Sequence, residues 1–254
     1  MAPESLVDFL GAHQNALWLF AVFLDLGVTL LLFKLFGKMG LYAVIVLNIM
    51  LSNLIGPKIT VVFGLNTSMG VIIYSGIYFA TDLLGERYGK REANRAVFIG
   101  FAVSVMVVMF GLLSLYFVPT PDPQKQGFAN DIHNALSLLF NYTPRFVFGS
   151  LLAYLISQTH DVWMYHFLRI KTKGKHLWIR NNVSTITSQA IDTVIYGVVV
   201  WWAIFDFRTA MELALAKYMF KVIIALLDTP FLYWARTWDM SDRDWSEAGL
   251  EAEG

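Results

Sequence analysis

Apolar runs of about 20 residues, each long enough to cross a bilayer as a helix, follow one another along this chain. They extend from Ala16 to Phe36, Gly40 to Phe63, Ser68 to Leu84, Ala96 to Val118, Arg145 to Leu168, Asn182 to Phe205 and Met211 to Trp234. Hydrocarbon offers backbone N–H and C=O groups no water, so such segments are expected to be helices bonded within themselves. With 57% hydrophobic and 15% charged residues over 254 positions, one soluble domain is excluded. The predicted fold is an all-α integral membrane protein, a bundle of six to seven transmembrane helices with a central polar cavity. The third run is marginal in length and the second is broken by IGPK (Ile55 to Lys58). These two therefore read as one short and one interrupted helix, and six spans is the alternative to seven.

Positive charges divide the connections into two sets. Those after runs one, three, five and seven hold Lys34, Lys38, Arg87, Lys90, Arg91, Arg95, Arg169, Lys171, Lys173, Lys175, Arg180, Arg236 and Arg243, against Lys125, Arg145 and Arg208 on the other side. Basic loops stay in the cytoplasm, which predicts the N-terminus outside and the C-terminus inside. Residues 1–15 are then an extracytoplasmic segment, 16–235 the transmembrane domain, and 236–254 a cytoplasmic tail, polar and acidic and expected to be disordered. The opening MAPESLVDFLGAHQ carries acids instead of a signal peptide's basic region, so it is expected to be retained. The longest connection, Pro119 to Pro144, predicts a short external amphipathic helix capped by Asn130 or Asp131 and ending near Phe140. The sequon at Asn141 reads as accidental. Net charge is zero, so nothing argues for a nucleic-acid partner, and without cysteine there are no disulfides or thiolate metal sites.

Ionisable groups inside spans cost roughly 3 kcal/mol on insertion scales, so each should face protein or water. Run three stacks Tyr74, Tyr78 and Asp82 at four-residue intervals on one helical face. Run five aligns Tyr154, Gln158, Asp161 and Tyr165; run six Thr185, Ser188 or Gln189, Asp192 and Tyr196; run seven Lys217, Lys221 and Asp228. Lys221 and Asp228 lie about 10 Å apart along their helix and cannot pair, so Lys221 is expected to meet Asp192 or Asp82. Thr185 and Ser188 are expected to bond their own backbone, Lys58 and Lys217 to reach an interface, and Glu86, Arg87 and Arg91 to pair on successive turns. Carboxylates, amides and a lysine on several helices imply a shared polar cavity. Asp, Gln and Asn with tyrosines between them suit a flat heterocycle, above all a guanine-like base whose N1–H and 2-amino groups form a fork for one carboxylate. Gly56 and Pro57 free backbone groups that are tolerated where they line a cavity, and Asn53 is one turn away.

ATDLLGERYGKREANR (Ala80 to Arg95), SQTHDVW (Ser157 to Trp163), SQAIDTVIYG (Ser188 to Gly197) and KYMFKVIIALLDTPFLY (Lys217 to Tyr233) together resemble the queuosine precursor transporter family, also called the vitamin uptake transporter family. The resemblance implies a bacterial inner-membrane importer of a 7-deazaguanine base (the cyano or aminomethyl precursor, or queuine) for tRNA modification. It carries over Asn53, Asp82, Gln158, Asp161, Asp192 and Lys221 as polar positions of the family, with Gln189 beside them and Asp228 matching one branch. With Tyr74 and Tyr78 these form the expected substrate site, in which Asp192 and Gln189 hold the base edge. The partners are the base and the lipid bilayer, and a homodimer is compatible with this. One alternative is the substrate-binding subunit of an energy-coupling-factor importer. An intramembrane enzyme is the other: His160, Asp161 and His166 suggest metal, but the two histidines face about 120° apart. No enzyme activity, cofactor or metal is expected.

Overall fold

The computed structural model describes residues 4–140 and 144–239. Helix α1 (Glu4–Ala12) precedes α2 (Gln14–Leu54), whose 41 residues would stretch about 60 Å if straight, twice the hydrocarbon thickness. Gly37 prevents this. Its φ of 55° and ψ of −135° belong to a region open to glycine, and there the helix turns back on itself. Asn48 Nδ2 donates to Asp25 Oδ1 at 3.0 Å although 23 residues separate them, which is possible only if the two arms run antiparallel. The first two apolar runs thus form one helical hairpin.

The second arm stops at Leu54, and the second predicted span is corrected beyond it. Residues 55–58 turn, and β1 (Ile59–Val62) pairs antiparallel with β2 (Leu65–Ser68). Phe63 (φ 49°) and Gly64 (φ 78°) make the two-residue loop of left-handed residues that suits a tight hairpin. A short run rich in β-branched residues, ITVV, reads the same for strand and helix by apolarity alone. So IGPK ends a helix and does not interrupt one, and the fold is helical with one added hairpin. Gly56 O accepts from Gly70 N at 3.2 Å, so this freed carbonyl is bonded to protein.

Helices α3 (Gly70–Tyr88), α4 (Lys90–Ser114), α5 (Gln126–Phe140), α6 (Pro144–Lys171) and α7 (Leu177–Tyr196) follow. A π-helical turn, Gly197–Trp201, and a short α8 (Trp202–Ile204) extend α7, and α9 (Phe207–Arg236) closes the chain. Helix α5 begins at Gln126, earlier than predicted, because Asp122 starts it: its carbonyl accepts from Lys125 and Gln126 N–H and its side chain from Gln124 N–H. The ion pair with Lys125 and that backbone bond hold the Asp122 carboxyl below the usual range. Asp206 caps α9 in the same manner. The sequon at Asn141 and residues 240–254 of the expected tail lie outside the described residues. Trp238 packs against Phe33 with ring centroids 5.8 Å apart.

Among the described residues three helices are long and apolar enough to cross a membrane by length and composition: Gln14–Leu54, Lys90–Ser114 and Leu177–Trp201. Helices α3, α6, α7 and α9 hold the buried ionisable groups Asp82, Glu86, Asp161, Arg180, Asp192, Lys217, Lys221 and Asp228. Burial is inverted relative to a water-soluble domain. Phe98, Met106, Met109 and Phe110 of α4 are exposed, whereas Asp82, Asp161, Arg180 and Lys221 are at most 3% exposed. Such an exterior suits lipid, and such an interior needs internal partners.

Gly76 of α3 is the contact point of the α2 hairpin. A methyl group there would collide with Asp25 Oδ2 and lie 2.6 Å from Asn48 Nδ2. Gly76→Ala is therefore expected to lower stability by about 1–3 kcal/mol, the usual cost of overpacking. A melting curve in detergent checks this. The loss should shrink when Asp25→Ala removes the obstructing carboxyl, and an additive double variant would refute the contact.

Candidate functional site

The predicted polar positions come together in two tiers. At the end of the bundle near the β-hairpin, a cleft of about 40 Å³ is lined by Ser52, Asn53, Gly56, Tyr74, Tyr196 and Lys217, among others. One liquid water occupies about 30 Å³, so this space admits a water or two and no bicyclic base. Asp82, Gln158, Asp161, Gln189, Asp192 and Lys221 are each at most 3% exposed, so around these side chains the polar interior is closely packed in this conformation. A larger hollow of about 360 Å³, lined by Lys58, Leu138, Trp201 and Phe205 among others, shares Pro57 and Leu139 with the cleft. Helix α5 supplies Leu139 and Phe140 at this junction.

Below the mouth, Lys221 pairs with Asp192 across α9 and α7. Of the two acids considered for Lys221, Asp192 is the one. Tyr74 lies beside this pair, its ring 5.5 Å from the Lys221 ammonium and 5.7 Å from that of Lys217. Lys217 is 5% exposed, so it does not reach an interface, and its ammonium lies 3.9 Å from the Tyr196 ring centroid. A desolvated cation–π contact supplies about 2 kcal/mol against an insertion cost of roughly 3. Asn53 Nδ2 is turned to Ile49 O (2.8 Å), and its side chain still borders the cleft.

The second tier is deeper. Thr185 Oγ1 donates to Asp82 Oδ2 at 3.1 Å and Ser188 Oγ lies 3.2 Å from Asp161 Oδ1, so α7 sets hydroxyls against acids on α3 and α6. Thr185 thus bonds across helices, whereas Ser188 also keeps its own backbone partner, Ser184 O, at 2.6 Å. The carboxyls of Asp82 and Asp161 interact with each other. Asp228 accepts from Asn181 Nδ2 at 3.1 Å. Between the tiers sits Tyr78, acted on electrostatically by both Asp192 and Asp161. Tyr78 Oη, Gln158 Nε2 and Gln189 Oε1 are buried atoms with no partner, although Gln158 Oε1 accepts from Thr81 at 3.3 Å. Unsatisfied buried polar atoms cost roughly 1–3 kcal/mol each and are candidates for a ligand's hydrogen bonds. Asp82 lies about 12 Å along α3 from Tyr74, so the structure does not bring it to the mouth.

The basic end is closed by a second polar assembly that spacing along one helix did not foretell. Glu86 pairs with Arg180 (2.7 Å to both carboxylate oxygens) and with Arg236 (3.2 Å), and Tyr165 Oη donates to it at 2.8 Å. The predicted pairing of Glu86 with Arg87 and Arg91 gives way to these partners because α6, α7 and α9 bring their cations over it. Arg87 instead donates to the carbonyls of Arg236 and Trp238. No group of three or more acids, histidines or cysteines that could hold a metal occurs among the described residues.

Residues 68–235 match the family described as "Putative vitamin uptake transporter". The chain is 36% identical over 226 residues to the "Probable queuosine precursor transporter" of Bacillus subtilis (strain 168), covering 88% of this chain and 95% of that one. It is 27% identical over 169 residues to the "Queuosine precursor transporter" of Escherichia coli (strain K12), covering 65% and 71%. No solved structure matches the chain. The chain belongs to the vitamin uptake transporter family and is a membrane transporter, not an enzyme.

Proposed function

We propose that this chain imports a queuosine precursor, a 7-deazaguanine base, across the bacterial inner membrane. The observation that carries the proposal is the Asp192–Lys221 pair under a mouth bordered by Tyr74 and Tyr196. Aromatic faces stack a planar base, and a carboxylate receives adjacent N–H groups. Lysine engages only Oδ2 of Asp192, so Oδ1 is left to accept from cargo. Tyr78, Gln158 and Gln189 add unpartnered polar atoms just below. Asn53 borders the entry, and Asp82, Asp161 and Asp228 line the onward path.

In this reading the α2 hairpin makes two passes and α3, α4, α6, α7 and α9 five more, and the excess of basic residues at one end favours an N-terminus outside and that end in the cytoplasm. In the conformation described the mouth is too narrow for a base, so binding requires the hairpin end to open, with α5 withdrawing Leu139 and Phe140. Purified protein should bind at least one of 7-cyano-7-deazaguanine, 7-aminomethyl-7-deazaguanine and queuine at least about tenfold more tightly than guanine, a difference of about 1.4 kcal/mol. Calorimetry measures this, and failure of all three to bind overturns the proposal.

A further inference from the structure

Lys217 is a buried cation whose environment is only half built. It faces the cleft, and its closest described partners are π faces: Tyr196 at 3.9 Å and Tyr74 at 5.7 Å. Asp192, the acid that acts on it, is already paired with Lys221, which lies one turn further along the same face of α9. Among the described residues no carboxylate forms an ion pair with Lys217. An ammonium has three N–H donors, and aromatic faces satisfy none of them as a lone pair would. A buried donor set aimed at a cleft is complementary to an acceptor brought by cargo.

We propose that Lys217 is a specificity-determining, cargo-contacting residue that donates a hydrogen bond to the ring carbonyl oxygen of the transported base. This rests on the function proposed above and adds which edge of the base is read, and how. A guanine-type base presents, side by side, a carbonyl acceptor, a ring N–H and an exocyclic amine. Lys217 and Asp192 offer the matching sequence of cation and carboxylate. An adenine-type base, with an amine where the carbonyl stands and a bare ring nitrogen beside it, would set donor against ammonium and lone pair against carboxylate. It would be rejected by both residues. Lys221 then has a different task, which is to hold the Asp192 carboxylate in orientation.

The test is a cycle of ligand and side chain. Affinities of 7-deazaguanine and its 6-thio analogue, which keeps both N–H groups but accepts hydrogen bonds weakly, are measured on the wild type, Lys217→Met and Lys217→Gln. A hydrogen bond to a charged group is expected to make wild type prefer the oxo base by about 10- to 100-fold. Lys217→Met should reduce that preference to within about threefold, chiefly by weakening the oxo base. Lys217→Gln, a neutral donor, should keep an intermediate preference. A Lys217→Met protein that retains the wild-type ratio, or one that loses both ligands equally, overturns the assignment. Unfolding of both variants would do so too, by making Lys217 a packing element. If wild type binds neither these two bases nor any of the three precursors named above, the transport proposal itself fails; binding with an unaltered ratio sinks only the role of Lys217.

Discussion

Asp192→Asn is expected to reduce uptake of a 7-deazaguanine base by about 100-fold or more, measured as accumulation of labelled base in proteoliposomes. Asparagine has nearly the volume of aspartate but replaces one acceptor oxygen by a donor amide and removes the charge. Two charge-assisted hydrogen bonds of about 1.5 kcal/mol each correspond to roughly 100-fold in affinity. The substitution also strands Lys221, which is 1% exposed, and losing one member of a buried pair costs about 3–5 kcal/mol. Reduced uptake alone could therefore reflect poor folding. The double variant Asp192→Asn with Lys221→Met separates the two effects, because it removes both charges. It should regain most of the lost melting temperature and none of the transport. Recovery of uptake in that double variant would show that the carboxylate is structural.

Glu86→Ala is expected to be the most destabilising of the single changes at the basic end, by about 3–5 kcal/mol. Arg180 is fully buried and gives two 2.7 Å contacts to Glu86, while Tyr165 and Arg236 share the same carboxylate. Alanine would leave a desolvated guanidinium with only the carbonyls of Gly174 and Lys175 and the Tyr165 hydroxyl as partners. Thermal unfolding in detergent reads the loss. Glu86→Ala combined with Arg180→Met should recover part of it, since the double variant no longer strands a buried guanidinium without its carboxylate. A melting temperature unchanged in the single variant would mean that water already reaches this cluster.

The membrane class and the positions of most helices were legible because each follows from a length or a helical period; for Lys221 the spacing left Asp192 and Asp82 both open, and the structure pairs it with Asp192. Apolar runs near spanning length, and polar residues recurring at a helical period, need no tertiary information. Three features were not legible, each for a physical reason. Residues 59–68 fold as strands, but ITVV is as apolar as a helix end, and only the turn at Phe63 and Gly64 distinguishes them. Glu86 has helical neighbours Arg87 and Arg91 in sequence, yet its partners come from α7 and α9, and spacing along one helix does not reveal contacts between helices. Lys217 read as a side chain able to extend to an interface; the tyrosine that holds it, Tyr196, lies on α7, four residues past Asp192. The polar residues did converge, but residue type does not say how much empty volume lies among them.

The unequal fastening of the two ends has a mechanical implication. Near the β-hairpin, the tie to α2 consists of Phe63 N–H on Asn15 at 2.7 Å, a long Thr60 to Gln14 contact at 3.4 Å and rings meeting edge to face. Separating these exposes neutral groups. Parting the opposite end strips two cations, Arg180 and Arg236, from one shared anion. In any cycle that unlatches first one rim and then the other, the hairpin rim parts easily and the opposite rim is the stiff one, so the stroke that opens the stiff rim would be the slower of the two.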